Sequence, residues 1–125
     1  MTENLLPVLR DRYPDFFCSA PLREIACLPG WLNLIDELCC MLKTHMDAHP
    51  ELPPLKVRQV KEKFGGLRFY YSGGDRACRE AVAAAEGRSM SICEVCGQTG
   101  TLGGEHWLSV RCLDHKNWSP SDACQ

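Results

Sequence analysis

The stretch 61-KEKFGGLRFYY-71 decides how the middle of this chain folds. Two glycines lie between a basic run and an aromatic run. A phosphate-cradling P-loop needs G-x-x-x-x-G-K-[ST], and a dinucleotide fingerprint needs G-x-G-x-x-G between a strand and a helix; the stretch offers neither. A Gly-Gly pair between two β-type runs is instead a hairpin signal. With Gly65-Gly66 as the turn, residues 55–72 are expected to form an antiparallel pair. Phe64 then faces Leu67, Lys63 faces Arg68, Glu62 faces Phe69, Lys61 faces Tyr70 and Val60 faces Tyr71. Val60, Glu62, Phe64, Leu67, Phe69 and Tyr71 share one face, a core surface. Gln59, Lys61, Lys63, Arg68, Tyr70 and Ser72 share the other, which is basic with one aromatic. That separation is what a half-buried sheet requires.

Two features of this hairpin go against a purely structural role. Lys63 opposite Arg68 sets like charges across the strands, at a cost of up to about 1 kcal/mol unless something anionic intervenes. Glu62 falls on the apolar face, where a carboxylate needs a partner, and Arg58 is the expected one. The basic face has two readings: a solvated sheet surface, or a contact for an acidic protein or a nucleic-acid backbone. Under the second reading Lys61, Lys63, Arg68 and Tyr70 are the partner-binding residues.

The flanks read as helices. Trp31, Leu34, Ile35, Leu38, Leu42, His45 and Met46 recur at three- and four-residue steps, and Pro50, Pro53 and Pro54 end that pattern. A second helix is expected over about 75–88, with Ala77, Ala81, Ala84 and Ala85 permitting close approach to a sheet. Residues 2–10 suggest a short helix capped by Thr2 and limited by Pro7, followed by an irregular, proline-punctuated segment to residue 30. The order helix, hairpin, helix and cysteine module implies an α+β domain over residues 1–90, with a metal module at 91–125 packed on it.

Composition narrows the class. The chain has 125 residues, 45% of them hydrophobic, enough for a real core. Its net charge of −2 argues against broad, non-specific nucleic-acid binding. Residues 53–92 carry eight Lys/Arg against four Asp/Glu, so a basic block lies between acidic flanks. The N-terminus lacks the pattern of a signal peptide, and no apolar run is long enough to span a membrane, so a cytosolic protein is expected. Nine cysteines, an odd number, then point to metal ligands plus buried thiols rather than a disulfide scaffold. Cys18, Cys27, Cys39, Cys40 and Cys78 read as buried small apolar groups. His45 and His49, at i and i+4 without an H-E-x-x-H context, read as surface residues.

The C-terminal run "CEVCGQTGTLGGEHWLSVRCLDH" is the strongest chemical signal. Cys93 and Cys96 are spaced C-x2-C, Cys112 and His115 are spaced C-x2-H, and fifteen residues separate the pairs. This is the two-knuckle spacing of zinc sites. Gly97 follows the first pair, where a tight turn needs φ > 0. A Cys3His set fills four positions, so a structural Zn2+ is expected rather than a catalytic one. His106 and Cys124 are the rival fourth ligands. Zinc ribbons and treble clefs both supply such ligands, and a short helix at "CLDHKNW" would favour the treble clef. An HNH-type nuclease would need further ligands, for which only His106 and Asp114 are near.

"QVKEKFGGLRFYYSG", the Ala-rich helix and "CEVCG…C-x2-H" together resemble small proteins encoded in tailed phages and prophages, over about Trp31 to His115. That group has no assigned activity, so the resemblance implies a context: the cytoplasm of a bacterial host. It implies a non-enzymatic accessory protein that binds a host protein, for example as an inhibitor of a bacterial defence complex of the anti-CRISPR kind. A nucleic-acid-binding zinc module using the basic hairpin is the alternative, and an HNH-like nuclease the third.

Overall fold

The computed structural model describes residues 4–18, 22, 24–104 and 107–116. Thr2, His106 and Cys124, all invoked above, lie outside the described residues. The protein is α+β, with three helices and two small sheets. No helix among the described residues is long and apolar enough to cross a membrane.

Helix α1 spans Leu6–Arg12. Asn4 Oδ1 accepts from the Leu6 N–H at 3.0 Å and from the Ile25 N–H at 3.2 Å, tying the helix start to the sheet. Pro7 sits in the first turn, where its missing N–H leaves no intrahelical bond unmade, so it opens the helix rather than limiting it. Leu5, Leu6, Leu9, Phe16 and Phe17 are all buried, so the N-terminal segment belongs to the core. Within the stretch expected to be irregular, Ile25–Ala26 forms a two-residue strand, β1.

A 3-10 turn over Pro29–Trp31 feeds α2, Leu32–Ala48. Its inner face is Leu34, Ile35, Leu38 and Leu42, four of the periodic positions, joined by Cys39. Strands β2 (Lys56–Lys63) and β3 (Gly66–Ser72) form the hairpin. With β1 they make a sheet of order β1-β2-β3, β1 running parallel to β2 and β3 antiparallel to it.

The hairpin register differs from the expected one. Lys63 pairs with Gly66, Glu62 with Leu67, Lys61 with Arg68 and Val60 with Phe69, so Phe64-Gly65 is the turn. Both turn residues have positive φ, 52° and 88°, as a primed turn demands. Gly66 lies close under Met90: a Cβ there would be 2.9 Å from Met90 Sδ, so that side chain would have to shift. The slip moves each pairing by two residues in total, so the faces keep their members apart from Phe64. That side chain leaves the core face and is 69% exposed in the turn. A bulge between Val57 and Gln59 turns Arg58 outward, where its Nε donates to Ser72 Oγ at 3.1 Å. Glu62 is held instead by the turn, its Oε2 accepting from the Gly65 N–H at 2.7 Å.

Helix α3, Arg76–Ser89, starts at Asp75, whose Oδ1 accepts from the Cys78 N–H at 3.2 Å. Its buried face is Cys78, Val82, Ala85 and Ser89; Ala81 is half-buried, while Ala77 and Ala84 face outward. The helix also covers the outer edge of β3. The Leu67 N–H donates to Ser89 Oγ and the Phe69 N–H to Glu86 Oε2, each at 2.9 Å. These bonds satisfy two edge donors that would otherwise invite another strand. Val57, Val60, Leu67 and Phe69 join side chains of all three helices in one core cluster. Cys27, Cys39 and Cys78 are buried as expected, but Cys18 and Cys40 are exposed.

Candidate metal centre

The C-terminal segment has little apolar material of its own. Strands β4 (Thr101–Gly103) and β5 (Ser109–Arg111) pair antiparallel, and Val110 is their one buried side chain among the described residues. Polar backbone bonds shape the first knuckle: the Cys93 N–H donates to Gln98 O at 2.7 Å and the Gly97 N–H to Cys93 O at 2.8 Å. Gly97, at φ 85°, makes the expected left-handed turn. The β4–β5 pair returns the chain to Cys112, and a single 3-10 turn, Leu113–His115, presents the histidine.

Cys93, Cys96, Cys112 and His115 come together, with their ligand atoms all within 4.8 Å of one another. Cys96 Sγ lies 3.7 Å from Cys112 Sγ, and His115 Nδ1 lies 3.8 Å from Cys93 Sγ and 3.2 Å from Cys112 Sγ. Metal–sulfur bonds of ~2.3 Å in a tetrahedron put ligand atoms about 3.8 Å apart, so the cluster fits a metal ion. Burial works against a Cys93 thiolate, but backbone N–H groups of Cys112, Cys96 and Val95 outweigh it and bring the thiol down to about 7. For Cys96 the Gln98 N–H favours the thiolate, yet burial and the neighbouring Cys112 and Cys93 hold its pKa above the usual value. Three sulfur atoms and one nitrogen packed this closely are suited to take up a cation by releasing protons.

The cluster is anchored to the α+β body through its own loop. The Gly30 N–H donates to Glu94 O at 2.7 Å, and the Trp31 indole N–H to Ile92 O at 3.0 Å. Glu94 is itself buried: Oε2 accepts from the Leu28 N–H at 3.0 Å, and Oε1 lies 3.4 Å from an Arg111 guanidinium nitrogen. Burial pushes its carboxyl above the usual range, although the Leu28 N–H and Arg111 pull the other way. Between the outer side of β1 and β4–β5 lies a groove of about 1320 Å³, with Leu28, Leu102, Trp107 and Leu113 among its walls.

The four hairpin residues singled out in the sequence, Lys61, Lys63, Arg68 and Tyr70, lie on the side of β2–β3 opposite Val60 and Phe69. Lys63 and Tyr70 are exposed, while Lys61 and Arg68 are half-buried and directly opposed. The like-charge pair is therefore Lys61–Arg68, not Lys63–Arg68. Lys61 Nζ lies 5.8 Å from the Tyr70 ring centre and Lys63 Nζ 5.6 Å from that of Phe64. The hairpin tip rests on β4–β5, since a Cβ on Gly65 would lie 2.4 Å from Leu102 Cδ1. Phe64, Leu102 and Leu108 are exposed beside it.

One grouping escaped the sequence reading. His45 is half-buried rather than a free surface residue, its Nε2 3.0 Å from both Asp75 carboxylate oxygens. That hydrogen bond, ahead of the opposing effect of burial, holds Asp75 below the usual carboxylate range. The i, i+4 histidines were visible in the sequence; the partner of His45 thirty residues on was not, because only α2–α3 packing brings Asp75 to it. Comparisons with protein-family models, with curated proteins and with solved structures find no match.

Proposed function

We propose that the protein is a non-enzymatic accessory protein of phage type, stabilised by a structural Zn2+, that acts by binding a host protein in the bacterial cytoplasm. Inhibition of a bacterial defence complex, of the anti-CRISPR kind, is the form of this activity that the resemblance suggests. Cys93, Cys96, Cys112 and His115 are the zinc ligands in this reading. Three thiolates and an imidazole are soft and borderline donors that suit Zn2+, and four protein ligands leave no position for substrate water.

The observation that carries the binding role is the exposed hairpin tip. Phe64 sits at φ 52°, a conformation disfavoured for a bulky side chain, and is 69% exposed beside Lys63, Leu102 and Leu108. Strain of this sort at a surface aromatic supports a contact residue better than a packing one. Lys61, Lys63, Arg68 and Tyr70 continue that surface as a basic, aromatic face suited to an acidic partner.

The test uses affinity capture of the full chain from bacterial lysate beside its Lys61→Glu/Lys63→Glu variant. The wild type should retain one stoichiometric protein complex that the variant loses at least tenfold. Equal capture by both would remove the basic face from the mechanism. Steeply salt-dependent retention of DNA or RNA, without protein, would favour the nucleic-acid-binding alternative.

A further inference from the structure

A second set of metal-ligand side chains lies apart from the Cys3His cluster, where the last turns of α2 meet the start of α3. A ring nitrogen of His45, a carboxylate oxygen of Asp75 and Cys78 Sγ all lie within 4.8 Å of one another. His45 Nε2 is 3.0 Å from either Asp75 oxygen. Met46 brings a thioether to the same place, its Sδ 3.8 Å from Cys78 Sγ. We propose that His45, Asp75 and Cys78 form a second metal site, for a divalent cation of the zinc class.

The donor set fits that class. Imidazole nitrogen, carboxylate oxygen and thiolate sulfur are the three ligand types that Zn2+ accepts, whereas Mg2+ and Ca2+ take oxygen alone. Access and rigidity fit as well. The His45 and Asp75 side chains retain 28% and 34% exposure, so the outer side of the cluster is open to an arriving ion. Cys78 closes the inner side and is only 1% exposed. Gly74, at φ 71°, lies against the thiol, and a Cβ there would come within 2.9 Å of Cys78 Sγ. The glycine thus leaves the sulfur uncrowded. The His49 ring packs on that of His45, centres 4.6 Å apart, and limits its rotation.

An N-cap and an Asp–His pair would account for Asp75 and His45 separately. Cys78 packs in the core, yet its thiol also converges on both groups at ligand distance. Uptake of the cation releases the thiol proton and forms a metal–sulfur bond, while the imidazole binds in its neutral form. Because uptake displaces that proton, it should strengthen as pH rises. Three protein ligands leave a position for solvent, which predicts weaker binding than at the closed Cys3His set.

The experiment is a Co2+ titration of the metal-stripped full chain, read by visible absorption and by elemental analysis of the bound ion. The wild type should take up two ions per chain, the weaker giving a distinct set of bands. Cys78→Ser and His45→Gln should each lose the weaker ion, with helical circular dichroism retained. Asp75→Ser, which keeps a capping oxygen, should do the same without loss of α3. Cys96→Ser should affect the tighter ion alone. If only the ion lost in Cys78→Ser is seen, this site stands and the Cys3His reading falls. A single ion that survives Cys78→Ser, or a second ion unaffected by all three variants, overturns the proposal.

Discussion

Gly30 is the residue on which the two parts of the molecule meet. A Cβ built there would lie 2.4 Å from the carbonyl oxygens of both Cys93 and Glu94. Both obstacles are backbone, so neither can swing aside as a flexible side chain would. The Gly30 N–H also donates to Glu94 O, and the neighbouring Trp31 indole reaches Ile92 O. Gly30→Ala must therefore lift the loop that carries Cys93 and Cys96 off the body or distort it. The expected loss is about 1–3 kcal/mol, the usual cost of forcing a methyl group into packed structure. Urea unfolding, followed by fluorescence, should show a lower midpoint. A midpoint equal to that of the wild type would mean that the contact contributes nothing.

The hairpin shows how a local conformation and an exposed contact can be separated. Phe64 takes a left-handed conformation in the turn, and with 69% of its surface exposed it contributes little to the core. Asparagine accepts that conformation readily, so Phe64→Asn should stabilise the fold by about 1 kcal/mol. If Phe64 is a contact residue, partner capture should fall while the denaturation midpoint rises. Lower stability in this variant would contradict the strain argument. The same element marks the limit of what the sequence reveals. Alternation assigned Val60, Glu62, Leu67, Phe69 and Tyr71 to one face, since a slip of two residues preserves parity. Register escaped because two adjacent glycines allow two turns. The choice rests on Glu62 capping Gly65 and Gly66 passing under Met90, both properties of the folded molecule. Helix α3 was legible as an alanine-rich run, and α2 from its periodicity and terminal prolines. Strand β1 was not, because two residues paired in parallel carry no period. The Cys3His grouping was the clearest feature in the sequence, since its ligands come as two closely spaced pairs. His45, Asp75 and Cys78 have no such local signature.

At the scale of the whole molecule, stability is divided unevenly. The body has one core cluster that includes Trp31, Phe17, Ile35, Val57 and Leu67, all essentially sealed from solvent. Beyond Met90, the buried apolar side chains among the described residues are Cys93 and Val110. Strands of three residues and two 3-10 or knuckle turns cannot offset the entropy of ordering that segment. A bound zinc ion contributes roughly 10 kcal/mol or more to folding at such sites. If the Cys3His cluster holds Zn2+ as proposed, chelation should release residues 93–112 to rapid amide exchange while α2, β2 and β3 stay protected. Hydrogen-exchange mass spectrometry of the full chain, with and without a strong chelator, separates the two regions. Release of the segment also breaks the Gly30–Glu94 bond beside Trp31 and loosens the cover of its indole, so tryptophan emission should shift to the red on the same time course. Unchanged protection of 93–112 in a chain shown to be metal-free would remove zinc from the account of stability. Simultaneous loss of protection throughout would show that the body depends on the module, through the Gly30–Glu94 seam, for its own fold.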